Sequence, residues 1–160
     1  MAKLHVSVGD ATQFSKTVGE TDVTLFAGIT GDFAPNHVDE AYMLGSPYGG
    51  RIAHGALLVG YMSTASTMMC ARSVAESRGE TPVSLGYDCV RFLKAVRLND
   101  TVTVTYTITE TDAERRRSRA AIEVRNQDGD LVAVAEHMLK WVENPASGPD
   151  EALSIAAPKR

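Results

Sequence analysis

From Ile52 to Ala71 the chain carries no Asp, Glu, Lys or Arg. A run of that length is enough to cross a bilayer. However, Ser63, Thr64, Ser66 and Thr67, with His54, Gly55 and Gly60, make it too polar for lipid. It reads instead as a helix from His54 to about Arg72. Leu57, Leu58, Tyr61, Met62, Ala65, Met68 and Met69 recur at helical spacing, and small or apolar residues occupy the other faces as well. A helix that is apolar nearly all round is a buried one. Whatever else the chain builds has to enclose this element.

The enclosing material is visible in the second half. Thr101 to Thr109 alternates without a break, with Val102, Val104, Tyr106 and Ile108 on one face and threonines on the other. This is the pattern of a half-buried antiparallel strand. Arg119 to Arg125 alternates too, through Ala120, Ile122 and Val124. Gln127-Asp128-Gly129-Asp130 has hairpin chemistry, and Leu131 to Trp141 reads as the returning strand. Ser84 to Leu93 and Thr12 to Val18 read as two more. One buried helix and about five antiparallel strands are most simply combined by laying the helix across one face of a curved sheet, an α+β arrangement. The 160 residues fit one domain, placed at residues 1–143. Glu143 onward, with Pro145, Gly148 and Pro149, reads as a loosely held tail over 144–160. An open sheet leaves edges, and pairing across a homodimer would cover one of them.

Chemistry concentrates between the first strand and the long helix. Thr21 is expected to cap a helix through Val23, Leu25, Phe26 and Ala27 that Gly28 weakens and Gly31 ends. Gly31-Asp32-Phe33-Ala34-Pro35-Asn36-His37 follows. On one continuous helix, Asp32 and His37 would point about 140° apart. Pro35 rules that helix out, and Ala34 before it is pushed toward extended geometry. An extended, bent loop can turn both side chains toward one water. Asp39 can cap a short helix through Tyr42 and Leu44, and Gly45, Pro47, Gly49 and Gly50 form a flexible connector. A carboxylate accepts protons, and histidine is the side chain that ordinarily titrates near neutrality. Together they can add water across an α,β-unsaturated thioester if a donor steadies the enolate oxygen. The N–H of Gly55, at the start of the long helix, is placed by sequence to be that donor. The same residues also serve as ordinary turn and cap residues.

Gly31-Asp32-Phe33-Ala34-Pro35-Asn36-His37-Val38-Asp39, followed by Ile52-Ala53-His54-Gly55, resembles the MaoC-like (R)-specific enoyl-CoA hydratases. In that family a Gly-Asp-x-Asn-Pro-x-His-x-Asp signature precedes a His-Gly helix start at about this distance. Arg91-Phe92-Leu93-Lys94-Ala95-Val96 also looks like a family segment. The resemblance implies a hot-dog fold, usually dimeric, with Asp32 and His37 as the catalytic pair and Gly55 as oxyanion donor. It also implies acyl-CoA as substrate, with no metal or redox cofactor. Asn36, Arg51, His54, Arg91 and Lys94 are expected to bind substrate, the basic ones as candidates for the CoA phosphates, with Arg97 beside them. Tyr42, Tyr48, Tyr61 and Met62 are candidates for an acyl pocket, or for core.

Two positions depart from the family. The usual asparagine two residues after the aspartate is Ala34 here, and Asn36 is the nearby amide that could stand in for it. Some members carry a serine where this chain has Gly60. Three readings therefore stay open: a hydro-lyase forming an (R)-3-hydroxyacyl-CoA, a hot-dog thioesterase, and a non-catalytic acyl-CoA-binding or partner subunit.

Other features narrow the field. A net charge of −4 argues against nucleic acid. Cys70 and Cys89 are expected to be reduced and buried, not bridged, and no Cys/His spacing suggests zinc. Met1 to Asp10 has no apolar core of a signal peptide, so a cytoplasmic protein is expected, away from membranes. Arg115-Arg116-Arg117 reads as a solvated turn, and His5 and His137 have no visible partner in the sequence.

Overall fold

The computed structural model describes residues 4–72 and 79–145. In chain order the elements are β1 (Ala11–Thr17), α1 (Glu20–Thr30), α2 (Pro35–Val38), α3 (Glu40–Leu44) and α4 (Gly55–Ala71). They are followed by β2 (Glu80–Phe92), β3 (Thr101–Asp112), β4 (Arg117–Arg125) and β5 (Leu131–Glu143). The strands form one antiparallel sheet in the order β1-β3-β4-β5-β2.

The alternation read from the sequence decides which face of the sheet is buried. Val102, Val104, Tyr106 and Ile108 of β3 share the core with Ala120, Ile122 and Val124 of β4 and Val132, Ala135, Leu139 and Trp141 of β5. On the opposite face, Ser15–Thr103 and Thr17–Thr101 hydroxyl pairs link β1 to β3. Helix α4, about 25 Å long, lies against β1 and β3 and buries Leu58, Tyr61, Met62, Ala65, Ser66 and Met69. It is not covered all round. Ala56, Gly60, Ser63 and Thr67 remain exposed, because one curved sheet reaches only about one side of the cylinder. Tyr61 and Met62 are core residues. Burial, helped by the Asp22 charge, pushes the Tyr61 hydroxyl up to about 12.

Several local expectations change. Helix α1 begins at Glu20, not at a Thr21 cap, because the Asp22 carboxylate accepts the Gly19 N–H at 2.8 Å and lets the first turn start earlier. Gly31 ends it in the left-handed conformation at φ 80°. The Pro35 loop is not extended throughout. Ala34 is extended, as a residue before proline should be, but Pro35 opens the single turn of α2, since proline suits a first helical position. Asp39 caps α3 through the Tyr42 N–H at 2.9 Å.

Two histidines gain partners from distant strands. His137, only 1% exposed, meets the Ser84 hydroxyl at 2.8 Å and the Tyr106 hydroxyl at 2.9 Å. Desolvation pushes it down to about 4. His5 pairs with Glu80, which also takes the Arg116 guanidinium. The three consecutive arginines are therefore not one solvated turn. Arg115 faces solvent beside Asp112, Arg116 turns inward, and Arg117 begins β4. Cys70 and Cys89 are free thiols, but they are not both buried: Cys70 is partly covered and Cys89, on edge strand β2, is exposed. Among the described residues no helix is long and apolar enough to cross a membrane. Of the expected tail, residues 146–160 lie outside the described residues.

Candidate active site

Residues 19–53 leave the sheet after β1 and return to it just before α4. The return is fixed by a bridge between Ile52 and Arg97 and by the Ala53 N–H donating to the Val96 carbonyl at 2.8 Å. This delivers the α1–α2 loop to the N-terminus of α4.

His37 is buried and held at both ring nitrogens. Its Nδ1 lies 2.8 Å from the Ile52 carbonyl and its Nε2 lies 3.0 Å from the Asn36 side-chain nitrogen. A carbonyl only accepts, so Nδ1 carries the proton and Nε2 of the neutral ring offers its lone pair. Asp32 is 52% exposed. Its carboxylate oxygen and ring nitrogens of His37 and His54 all fall within 4.8 Å of one another. Two hydrogen bonds of about 2.8 Å to a single water span about 4.5 Å. The sequence-predicted pair is thus brought to water-sharing distance.

His54 packs against two other rings. One face of its ring stacks on His37 at a centroid distance of 3.7 Å and 27°, and Phe26 packs 4.8 Å away. Its Nε2 donates to the Asp32 backbone carbonyl at 3.0 Å, leaving the buried Nδ1 without a hydrogen-bond partner. His54 ties the Asp32 loop to the start of α4. The cluster Asp32, His37 and His54 has the composition of a metal site; here both ring nitrogens of His37 and Nε2 of His54 are engaged by Ile52, Asn36 and the Asp32 carbonyl.

The cleft beside this pair has a volume of about 350 Å3 and is walled by Asn36, His37, Tyr48, Gly55, Phe92 and Lys94, among others. Gly55 is the first residue of α4, where backbone N–H groups lack intrahelical acceptors. A Cβ there would come within 2.7 Å of the Phe92 ring. The ring therefore packs directly over the helix start, and only glycine leaves room for it. Lys94 stands at the cleft and pairs with Asp130 at 2.7 Å. This ion pair holds the Asp130 carboxyl below its usual range. A second depression, of about 150 Å3, lies at the far end of β3 and β4 among Glu110, Asp112, Arg115 and Arg119. It holds none of the residues that line the cleft, and Arg115 and Arg119 there are already paired with acids.

Arg51 and Arg91 are not at the cleft. Arg51 grips Glu20 through both terminal nitrogens, at 2.8 and 2.6 Å, and Glu40 through Nε at 3.0 Å. Those two acids raise its pKa further, and it in turn holds the Glu20 carboxyl low. It braces α1 against α3. Arg91 donates to the carbonyl of its own neighbour Val90. Sequence reasoning had no signal for the Ile52 carbonyl or for Phe26, whose roles depend on distant pairing.

A sequence profile described as the MaoC like domain matches residues 5–129. The chain belongs to the MaoC-like family. An (R)-specific enoyl-CoA hydratase from Rhodospirillum rubrum is 33% identical over 99 residues, which is 61% of this chain and 62% of that protein. A 3-hydroxybutyryl-CoA dehydratase from Methylorubrum extorquens is 40% identical over 58 residues, 36% of this chain and 37% of that protein. The chain thus aligns with less than two thirds of either curated relative. The solved (R)-hydratase from Aeromonas caviae superposes with a TM-score of 0.75 at 25% identity, over 84% of this chain and 96% of that one. A hot-dog-like protein from Thermanaerovibrio acidaminovorans, at 17% identity and a TM-score of 0.62, covers 87% of this chain and 85% of that one and shares the fold. This MaoC-like chain is a hot-dog domain in which an α+β layer of five strands carries one long helix.

Proposed function

We propose that this MaoC-like chain reversibly hydrates a trans-2-enoyl-CoA to an (R)-3-hydroxyacyl-CoA. The observation that carries the reading is the water-sharing distance between the Asp32 carboxylate and the His37 ring, beside the open N-terminus of α4. The named activities of the Rhodospirillum and Methylorubrum relatives support it.

In this reading the thioester carbonyl points at the Gly55 N–H, where the helix dipole and an unpaired donor lower the energy of the enolate. Asp32 accepts one hydrogen bond from the water, and the Nε2 lone pair of His37, held by the Asn36 N–H before substrate binds, accepts the other as that amide turns aside. As the water oxygen bonds to the β-carbon, His37 takes one proton, and the imidazolium returns it to the α-carbon on the same face. Asp32 stays ionised and steadies the positive ring. Each acid–base contact of this kind is worth about two to four orders of magnitude in rate. Addition of water is redox-neutral overall, so no step calls for a redox group, and CoA takes part as substrate. Lys94, at the cleft, is the cation best placed for the CoA phosphates. A cytoplasmic homodimer completes the proposal.

The test is loss of enone absorbance with crotonyl-CoA and longer enoyl-CoAs. Turnover by the native chain, with Asp32→Asn and His37→Ala folded but slowed by about a hundredfold or more, is the expected result. Normal turnover in both variants would reject the roles assigned to the pair. Release of free CoA with the double bond intact would point to thioester hydrolysis, and tight acyl-CoA binding without turnover to a binding subunit.

A further inference from the structure

Asn36 and His37 are adjacent in a single helical turn, where neighbouring side chains ordinarily diverge by about 100°. Here they meet, with the amide nitrogen of Asn36 3.0 Å from Nε2 of His37. The opposite ring nitrogen is fixed by the Ile52 carbonyl at 2.8 Å. The ring is thereby held at both ends, and the nitrogen that Asn36 touches is the one that carries the lone pair. The amide lines the same cleft as His37 and Gly55, so it stands where a reacting water must arrive.

We infer that Asn36 is a positioning residue that serves both protonation states of His37, and not the substrate contact that its sequence position suggested. A side-chain amide has donors on nitrogen and an acceptor on oxygen. Toward the neutral ring it donates N–H to the Nε2 lone pair, as the structure shows. Once Nε2 has gained a proton, rotation of the amide by half a turn about its terminal bond presents the oxygen, which accepts that N–H. The amide thus holds the imidazole in one orientation before the water arrives and again after the proton is taken, and it releases Nε2 for each transfer. Ala34 has no polar side chain to do this, so within the Asp32–His37 loop the task falls to Asn36. The inference rests on the hydratase reading for its kinetic consequence, but the amide–imidazole bond itself is independent of it.

The experiment pairs kinetics with 15N NMR of the imidazole in Asn36→Leu, with Asn36→Ala as a second, smaller replacement should the leucine disturb folding. The expected result has two parts. The crotonyl-CoA kcat falls by about tenfold to a hundredfold, the size of effect a misplaced catalytic group produces, while KM stays within about twofold. In the substrate-free variants the His37 Nε2 resonance moves downfield, toward the position of a lone pair that accepts no hydrogen bond. An unmoved Nε2 resonance would overturn the inference, and so would a raised KM with kcat intact, which marks a substrate contact. If the native chain hydrates no enoyl-CoA, the proposed reaction fails while the resonance still reports the amide–imidazole bond. The two failures are therefore separate.

Discussion

His137 should make this protein acid-labile in a definite pH window. The ring is buried between β2, β3 and β5, with Ser84 and Tyr106 as its hydrogen-bond partners and Tyr87 stacked 4.3 Å away. No acid is among these contacts to stabilise an imidazolium. Burial therefore lowers its pKa from the ordinary 6.5 to about 4. Above pH 6.5 the ring is neutral both folded and unfolded, and it contributes no pH dependence. As pH falls below 6.5 the unfolded chain binds a proton that the folded chain refuses, so stability is lost, and the loss is complete near pH 4. At 1.36 kcal/mol per unit, the 2.5-unit gap corresponds to about 3 kcal/mol in all, of which about 2 kcal/mol has gone by pH 5.

The perturbation is His137→Gln, which keeps hydrogen-bonding capacity but cannot titrate. Tyr106 retains Ser66 as a second partner. The assay is urea unfolding followed by circular dichroism at half-unit steps from pH 8 to pH 5, which stays above the range where Glu20, Glu80 and Asp130, all held low by ion pairs, begin to protonate. The variant should be less stable at pH 8 but should lack about 2 kcal/mol of the native loss between pH 7 and pH 5. Parallel pH profiles for the native and variant proteins would refute the reasoning.

Two further outcomes follow from packing. Gly55→Ala places a methyl group against the Phe92 ring and should cost about 1–2 kcal/mol, as overpacking does. Adding Phe92→Ala should restore most of that in a thermal melt, because the ring is half exposed and not otherwise trapped. Arg51→Ala removes the tie between Glu20 and Glu40. Since both acids are more than half exposed, the cost should be about 1 kcal/mol by urea titration, shrinking as salt is raised.

The sheet was legible because β3, β4 and β5 bury one face and solvate the other, so a period of two is written into them. Edge strand β2 shows no such alternation, with register shifts after Ser84 and Asp88, and its beginning at Glu80 had no signal. Helix α4 was legible from its apolar spacing, whereas the stripe left open along Ala56, Gly60, Ser63 and Thr67 depends on how far the sheet curls. In the site, Asp32, His37 and Gly55 were readable because local chain chemistry places them. The burial of Arg51 in acids was not, since Glu20 and Glu40 lie 31 and 11 residues away and meet it only when the excursion folds back. His137 shows the same limit, with partners 53 and 31 residues distant.

The reactive groups hang on a detour. Between Val18 and Ala53 the chain leaves the sheet, collects the carboxylate and the imidazole, and rejoins through the bridge at Ile52 and the hydrogen bonds that link Val18 to Asn99 and Asp100. The scaffold closes its hydrophobic interior mostly from other segments. Insertions, deletions and exchanges within the detour can therefore change which reactive groups such a domain presents while leaving untouched the platform that holds them.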